Sequence, residues 1–88
     1  MEKLLAQVLS GHADASIRFT ELCALLQRLG FTMRVKGSHH SLRRQGVVER
    51  IVLQPRGGLA KPYQVRQVRR ILVKYQLTLL GGSDDAAE

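Results

Sequence analysis

Acidic side chains are scarce in this chain, and the places where they are missing carry most of the information. Of 88 residues only seven are Asp or Glu, against fourteen Lys and Arg. Eleven of those cations lie between Arg34 and Lys74, a stretch in which Glu49 is the single acid. Asp84, Asp85 and Glu88 sit among the last eight residues, so the formal net charge of +7 understates the remainder. Up to Leu80, fourteen cations face four acids, a balance of +10. The other absences exclude whole classes of function. A single cysteine, Cys23, cannot form an internal disulfide, and between Leu22 and Leu25 on a helix it reads as a core residue. Long apolar runs are lacking too: the apolar segments are short and interrupted by charge, which argues against a membrane-spanning helix. The amino terminus lacks the pattern of a signal peptide, so a cytoplasmic protein is expected. No Walker loop, dinucleotide fingerprint or paired-carboxylate metal site occurs. At this length there is room for one domain with a single helix-plus-sheet core, spanning residues 1–80, and no cofactor is expected.

What is present is a periodicity that changes partway along the chain. Leu4, Leu5, Val8 and Leu9 recur at helical spacing until Ser10-Gly11-His12 breaks the pattern, so residues 1–17 read as a short amphipathic helix or a loosely docked arm. A second helix is predicted from Thr20, as a cap, to Leu29. Its apolar stripe is Leu22, Leu25, Leu26 and Leu29, and Gly30 supplies a left-handed carboxy-terminal residue. From Phe31 the period drops to two. Three antiparallel strands follow, with Met33, Val35, Leu42, Ile51 and Leu53 expected on the inward face. Arg34, Lys36, Ser41, Arg43 and Arg50 are expected on the outward face, which is polar except for Val52. Pro55-Arg56-Gly57-Gly58 ends the last strand, and Pro62 fits the first turn of a final helix, where its missing N–H costs nothing. That helix would bury Val65, Val68, Ile71, Leu72 and Tyr75 and turn Arg66, Arg69, Arg70 and Lys74 elsewhere. Residues 81–88 read as a disordered acidic tail. The predicted fold class is α+β, with a three-stranded antiparallel sheet carrying helices on one face and open on the other. This is the layout of the double-stranded-RNA-binding fold.

Three histidines are candidates for chemistry. His12 lies in a Gly- and Ala-bearing linker and reads as solvated. His39 and His40 are adjacent on a strand and must point to opposite faces. His40 shares its side with Leu42, so it reads as a partly buried ring donating a hydrogen bond near the strand end. His39 shares its side with Ser41, Arg43, Arg34 and Lys36, which makes it the exposed ring among cations. Two neighbouring histidines on opposite faces cannot chelate one ion, and no second Cys completes a site, so no metal is expected.

Lys and Arg attract phosphodiesters by charge alone, and an imidazole titrating near neutral pH can move a proton. Together they point to binding and cutting RNA. Nucleic acid is the leading partner, ahead of an anionic membrane surface. His39 is the candidate catalyst, taking the 2′-hydroxyl proton or donating one to the leaving oxygen. Arg34, Lys36, Gly37, Ser38, Ser41, Arg43 and Arg50 are the candidate RNA-binding residues, with His40, Arg56 and Lys61 secondary. A non-catalytic RNA-binding module on the same face is the alternative.

The runs Arg18-Phe19-Thr20 through Leu29-Gly30-Phe31, then Lys36-Gly37-Ser38-His39-His40, then Lys61-Pro62-Tyr63-Gln64-Val65-Arg66-Gln67-Val68-Arg69, are similar to the HicA toxin family of bacterial mRNA interferases. The likeness covers residues 18–77 or so. It implies a double-stranded-RNA-binding-like fold, metal-independent cleavage of mRNA, and neutralisation by a HicB-like antitoxin. The active-site histidine of the family falls on His39. Many members carry a second His or a short basic turn after the third strand, where this chain has Gln54-Pro55-Arg56-Gly57-Gly58.

Overall fold

The computed structural model describes residues 1–79, and the expected acidic tail at 81–88 lies outside the described residues. In chain order the elements are α1 (Glu2–Ser10), α2 (Phe19–Arg28), β1 (Thr32–Lys36), β2 (His39–Arg43), β3 (Ile51–Leu53), β4 (Pro55–Arg56), β5 (Leu59–Ala60) and α3 (Pro62–Lys74). The first three strands form the expected antiparallel meander in the order β1-β2-β3. Lys36 pairs with His39 across a two-residue turn, and Gly37 there takes the positive φ of 61° that the first position of a type II′ hairpin turn needs.

Helices cover one face of the meander. Leu42, Ile51 and Leu53 meet Leu22, Leu25 and Leu26 of α2, Val65, Val68 and Leu72 of α3, and Val8 of α1 in a single buried cluster. Emptying such a position, as in Leu42→Ala, costs about 2–5 kcal/mol in a core that cannot collapse around the void. Cys23 is buried in the same cluster, and desolvation there raises its thiol above the ordinary value, in line with a packing role. The architecture is α+β.

Several expectations need correction. The amino-terminal segment, for which a helix or a loosely docked arm was expected, is a helix and not a loose arm: α1 inserts Val8 into the core and packs against both α2 and α3. Thr20 does not cap α2. That helix starts one residue earlier, at Phe19, because Arg18 is held extended by pairing with Leu59, and the Phe19 N–H donates to the Gly58 carbonyl (3.0 Å). A backbone group far along the chain thus satisfies a donor that a side-chain cap was expected to satisfy. Gly58 can do so because Pro55–Gly58 does not simply end a strand. It forms one arm and the turn of a second hairpin, β4–β5, with positive φ at both Gly57 and Gly58. Val35 lies on the inward side of β1, opposite His40, yet is 56% exposed, because this end of the edge strand runs past the covering helices. Gly30 does take the left-handed conformation, at φ 99°.

Candidate functional site

Strand register arranges the uncovered sheet face as cross-strand rows. Thr32 stands opposite Arg43 and Arg34 opposite Ser41, which in turn pairs with Val52. Lys36 stands opposite His39 at the turn end. Because Leu42 pairs with Ile51, Arg43 lies beside Arg50 just before β3 begins. Arg34, Ser41 and Arg50 are shared by two adjoining shallow concavities. One extends to Thr32 and Arg43, the other to Val35, Lys36, His39 and Val52. Together they make one groove running from Arg43 to His39.

The electrostatics of that groove are one-sided. The two ion pairs among the described residues use Arg69 and Lys74, and neither involves a groove residue. Glu49, the acid nearest in sequence, is turned away. Its carboxylate accepts from the Tyr75 hydroxyl (2.6 Å) and from Lys74 Nζ (2.9 Å) near the carboxy-terminal end of α3. Those two contacts, the Tyr75 bond first, push its pKa down to about 2. Like charges side by side on neighbouring strands destabilise a sheet by some tenths of a kcal/mol. The cluster of Arg34, Arg43 and Arg50 is therefore a liability to the free fold that a polyanion would relieve.

The two histidines separate as strand alternation requires. His39 is exposed in the groove. His40 faces the helices, half-buried, with its ring edge-on to Phe19 (centroids 4.7 Å apart, 84° between planes), and its Nδ1–H donates to the Ser38 carbonyl (3.2 Å). Such a contact is worth about 0.5–1.5 kcal/mol beyond the area it buries. Gly37 and Ser38 are exposed in the turn beside His39, and His12 is exposed elsewhere, on the linker after α1.

Of the secondary candidates, Arg56 is exposed on β4, away from the groove lining. Lys61 is close to the groove through an intermediary that the sequence did not suggest. Its Nζ lies 3.2 Å from Gln54 Oε1, and Gln54 Nε2 lies 2.7 Å from His39 Nε2. Gln54 follows β3, next to the Leu53 that pairs with His40, so register alone carries it beside His39. On α3, Arg69 differs from its exposed neighbours Arg66 and Arg70. It is half-buried and bidentate to Asp14 (2.8 and 3.1 Å), and it also donates to the Val8 carbonyl (3.1 Å).

A helix-backed antiparallel sheet whose bare face is basic, acid-free and marked by one exposed imidazole defines a small α+β protein of the double-stranded-RNA-binding-like class. Residues 19–74 match the family described as the HicA toxin of bacterial toxin-antitoxin. The chain belongs to that family, a toxin whose partner is an antitoxin. No curated protein and no solved structure matches the chain. The matched segment contains the whole groove and leaves α1 outside it. Among the described residues no helix is long and apolar enough to cross a membrane.

Proposed function

We propose that this toxin is a metal-independent endoribonuclease that cleaves mRNA in the cytoplasm, with residues 1–80 acting as one domain and His39 as its proton acceptor. The observation that carries the reading is the placement of the one imidazole exposed on the sheet face in a groove lined by Arg34, Lys36 and Arg50 and no carboxylate. In this scheme His39 takes the proton of a ribose 2′-hydroxyl as its oxygen attacks the adjacent phosphorus. The P–O5′ bond breaks and the 5′-oxygen takes a proton from water, leaving a 2′,3′-cyclic phosphate. Arg34, Lys36, Arg43 and Arg50 hold the phosphate chain and offset the charge that develops on it. Ser41 and the Gly37-Ser38 turn contribute hydrogen-bonding groups along the same path. Proton transfer of this kind supplies roughly a hundred- to ten-thousandfold, so a slow enzyme is expected. A HicB-like acidic antitoxin would cover this face, hiding His39 and supplying counter-charge together.

Incubating the purified protein with a long RNA in EDTA, beside His39→Ala and His40→Ala, tests the reading. Cleavage is expected to persist in EDTA and to vanish in His39→Ala. His40→Ala is expected to cleave normally per folded molecule while losing about 1 kcal/mol of stability with its Phe19 contact. Equal activity of His39→Ala and the parent would refute the assignment. RNA binding without cleavage would leave a non-catalytic RNA-binding module on the same groove.

A further inference from the structure

The scheme above gives no role to Gln54, Lys61 or Gln64, although Gln54 touches the catalytic ring and the other two hold Gln54. An amide side chain has one accepting end and one donating end, whereas a Lys ammonium only donates. Lys61 Nζ, 3.2 Å away, therefore fixes the carbonyl end of Gln54 toward itself. The donating end is left facing His39, its nitrogen 2.7 Å from the ring Nε2. Two donors cannot share one hydrogen bond, so His39 Nε2 accepts, and the neutral ring carries its proton on Nδ1. Gln54 is itself anchored: its backbone N–H donates to Gln64 Oε1 (3.4 Å), and Gln64, on the first turn of α3, is only 3% exposed. Gln64 is the one buried polar side chain among the described residues, and its amide also donates to the Tyr63 hydroxyl (3.5 Å).

We propose that Lys61 and Gln54 are positioning residues that hold His39 in the Nδ1–H tautomer, so that Nε2 is the ring nitrogen that takes the 2′-hydroxyl proton. This rests on the reading of His39 as proton acceptor. The Gln54 N–H keeps the place of the substrate donor. An incoming 2′-hydroxyl displaces it at the single Nε2 lone pair and passes its proton there, while the 2′-oxygen bonds to phosphorus and the P–O5′ bond breaks. Water protonates the 5′-oxygen.

The test uses full-length protein with ¹⁵N-labelled histidine, read by two-bond proton–nitrogen correlation at a pH where an ordinary imidazole is neutral. His39 is expected to show the Nδ1–H pattern. Gln54→Glu presents an acceptor to Nε2 and is expected to invert the ring to Nε2–H. Lys61→Met frees the amide to flip and is expected to mix the two forms, while Lys61→Arg keeps a donor and the parental pattern. In cleavage assays Gln54→Glu and Lys61→Met are expected to lower kcat at least tenfold with KM little changed. An Nε2–H ring in the parent, or a pattern indifferent to Gln54→Glu, overturns the relay whether or not the protein cuts RNA. The expected ring signals with undiminished kcat in both variants overturn its role in positioning. Full cleavage by His39→Ala overturns the base reading on which that role stands, whatever the ring signals show.

Discussion

Arg43 and Arg50 lie beside each other across β2 and β3, and exchanging both for Gln should change how RNA binding responds to salt. The sheet face presents four cations, Arg34, Lys36, Arg43 and Arg50. Each phosphate neutralised on a single strand contributes about −0.7 to the slope of log affinity against log salt, so four contacts give about −2.8. Between about 50 and 200 mM salt that slope costs about 50-fold in affinity; the double variant, at about −1.4, should lose only about sevenfold. The measurement is fluorescence anisotropy of a labelled single-stranded RNA titrated with His39→Ala protein, with and without the two Gln substitutions, across that salt range. A second readout runs in the opposite direction. Relieving the like-charge pair should stabilise the free fold by about 0.2–1 kcal/mol, seen as a higher Tm without RNA. An unchanged salt slope in the double variant would refute the sheet-face model. So would a slope flattened instead by Arg66→Gln with Arg70→Gln on α3, neither of which lines the groove.

Two further outcomes concern stability. The folded-state pKa of Glu49, about 2, lies below its ordinary value of 4.5. Its bonds to Tyr75 and Lys74 should therefore stabilise the fold fully above about pH 4.5 and lose that effect as the pH falls toward about 2. Urea midpoints measured through that window should fall less steeply for Glu49→Gln than for the parent, and parallel curves would contradict the assignment. Arg69→Met should cost roughly 1.5–3 kcal/mol by leaving the half-buried Asp14 carboxylate unpaired. Hydrogen exchange should then quicken first in α1, and unchanged exchange there would show that the clasp does not hold the helix.

The sequence showed those parts of this molecule that local periodicity controls. Alternation along β2 placed His39 among cations and His40 against the core, because Leu42 two residues on had only one face to occupy. The stripe of α3 was legible for the same reason. Alternation assigns a face but not its coverage, which is why Val35 was expected inside and lies exposed. The start of α2 was misread because its first free N–H is met by Gly58, a partner no local pattern announces. Arg69 looked like its neighbours Arg66 and Arg70 until the fold brought Asp14 to it. Glu49 was visible as a lone acid, but its turn toward Tyr75, which leaves the groove without a counter-charge, was not. In the sequence Gln54 reads only as the start of the Gln54-Pro55-Arg56-Gly57-Gly58 turn. Its meaning depends on meeting His39 fifteen residues before it and Lys61 seven after it, residues that share no helix or strand with it.

The clasp of Arg69 on Asp14 and Val8 joins residues 55 and 61 positions apart, whereas the β-meander closes on pairs no farther apart in sequence than His40 and Leu53. Contacts of long separation pay more loop-closure entropy and form late. On a ribosome the difference becomes an order of events: the histidine-bearing hairpin can emerge while α3, which must back it and supply Lys61 and Gln64, is still unmade. The toxin therefore becomes a folded object only once α3 has been made. A chain interrupted before Arg69 lacks the clasp and leaves the inward face of the sheet without Ile71 and Leu72 of α3.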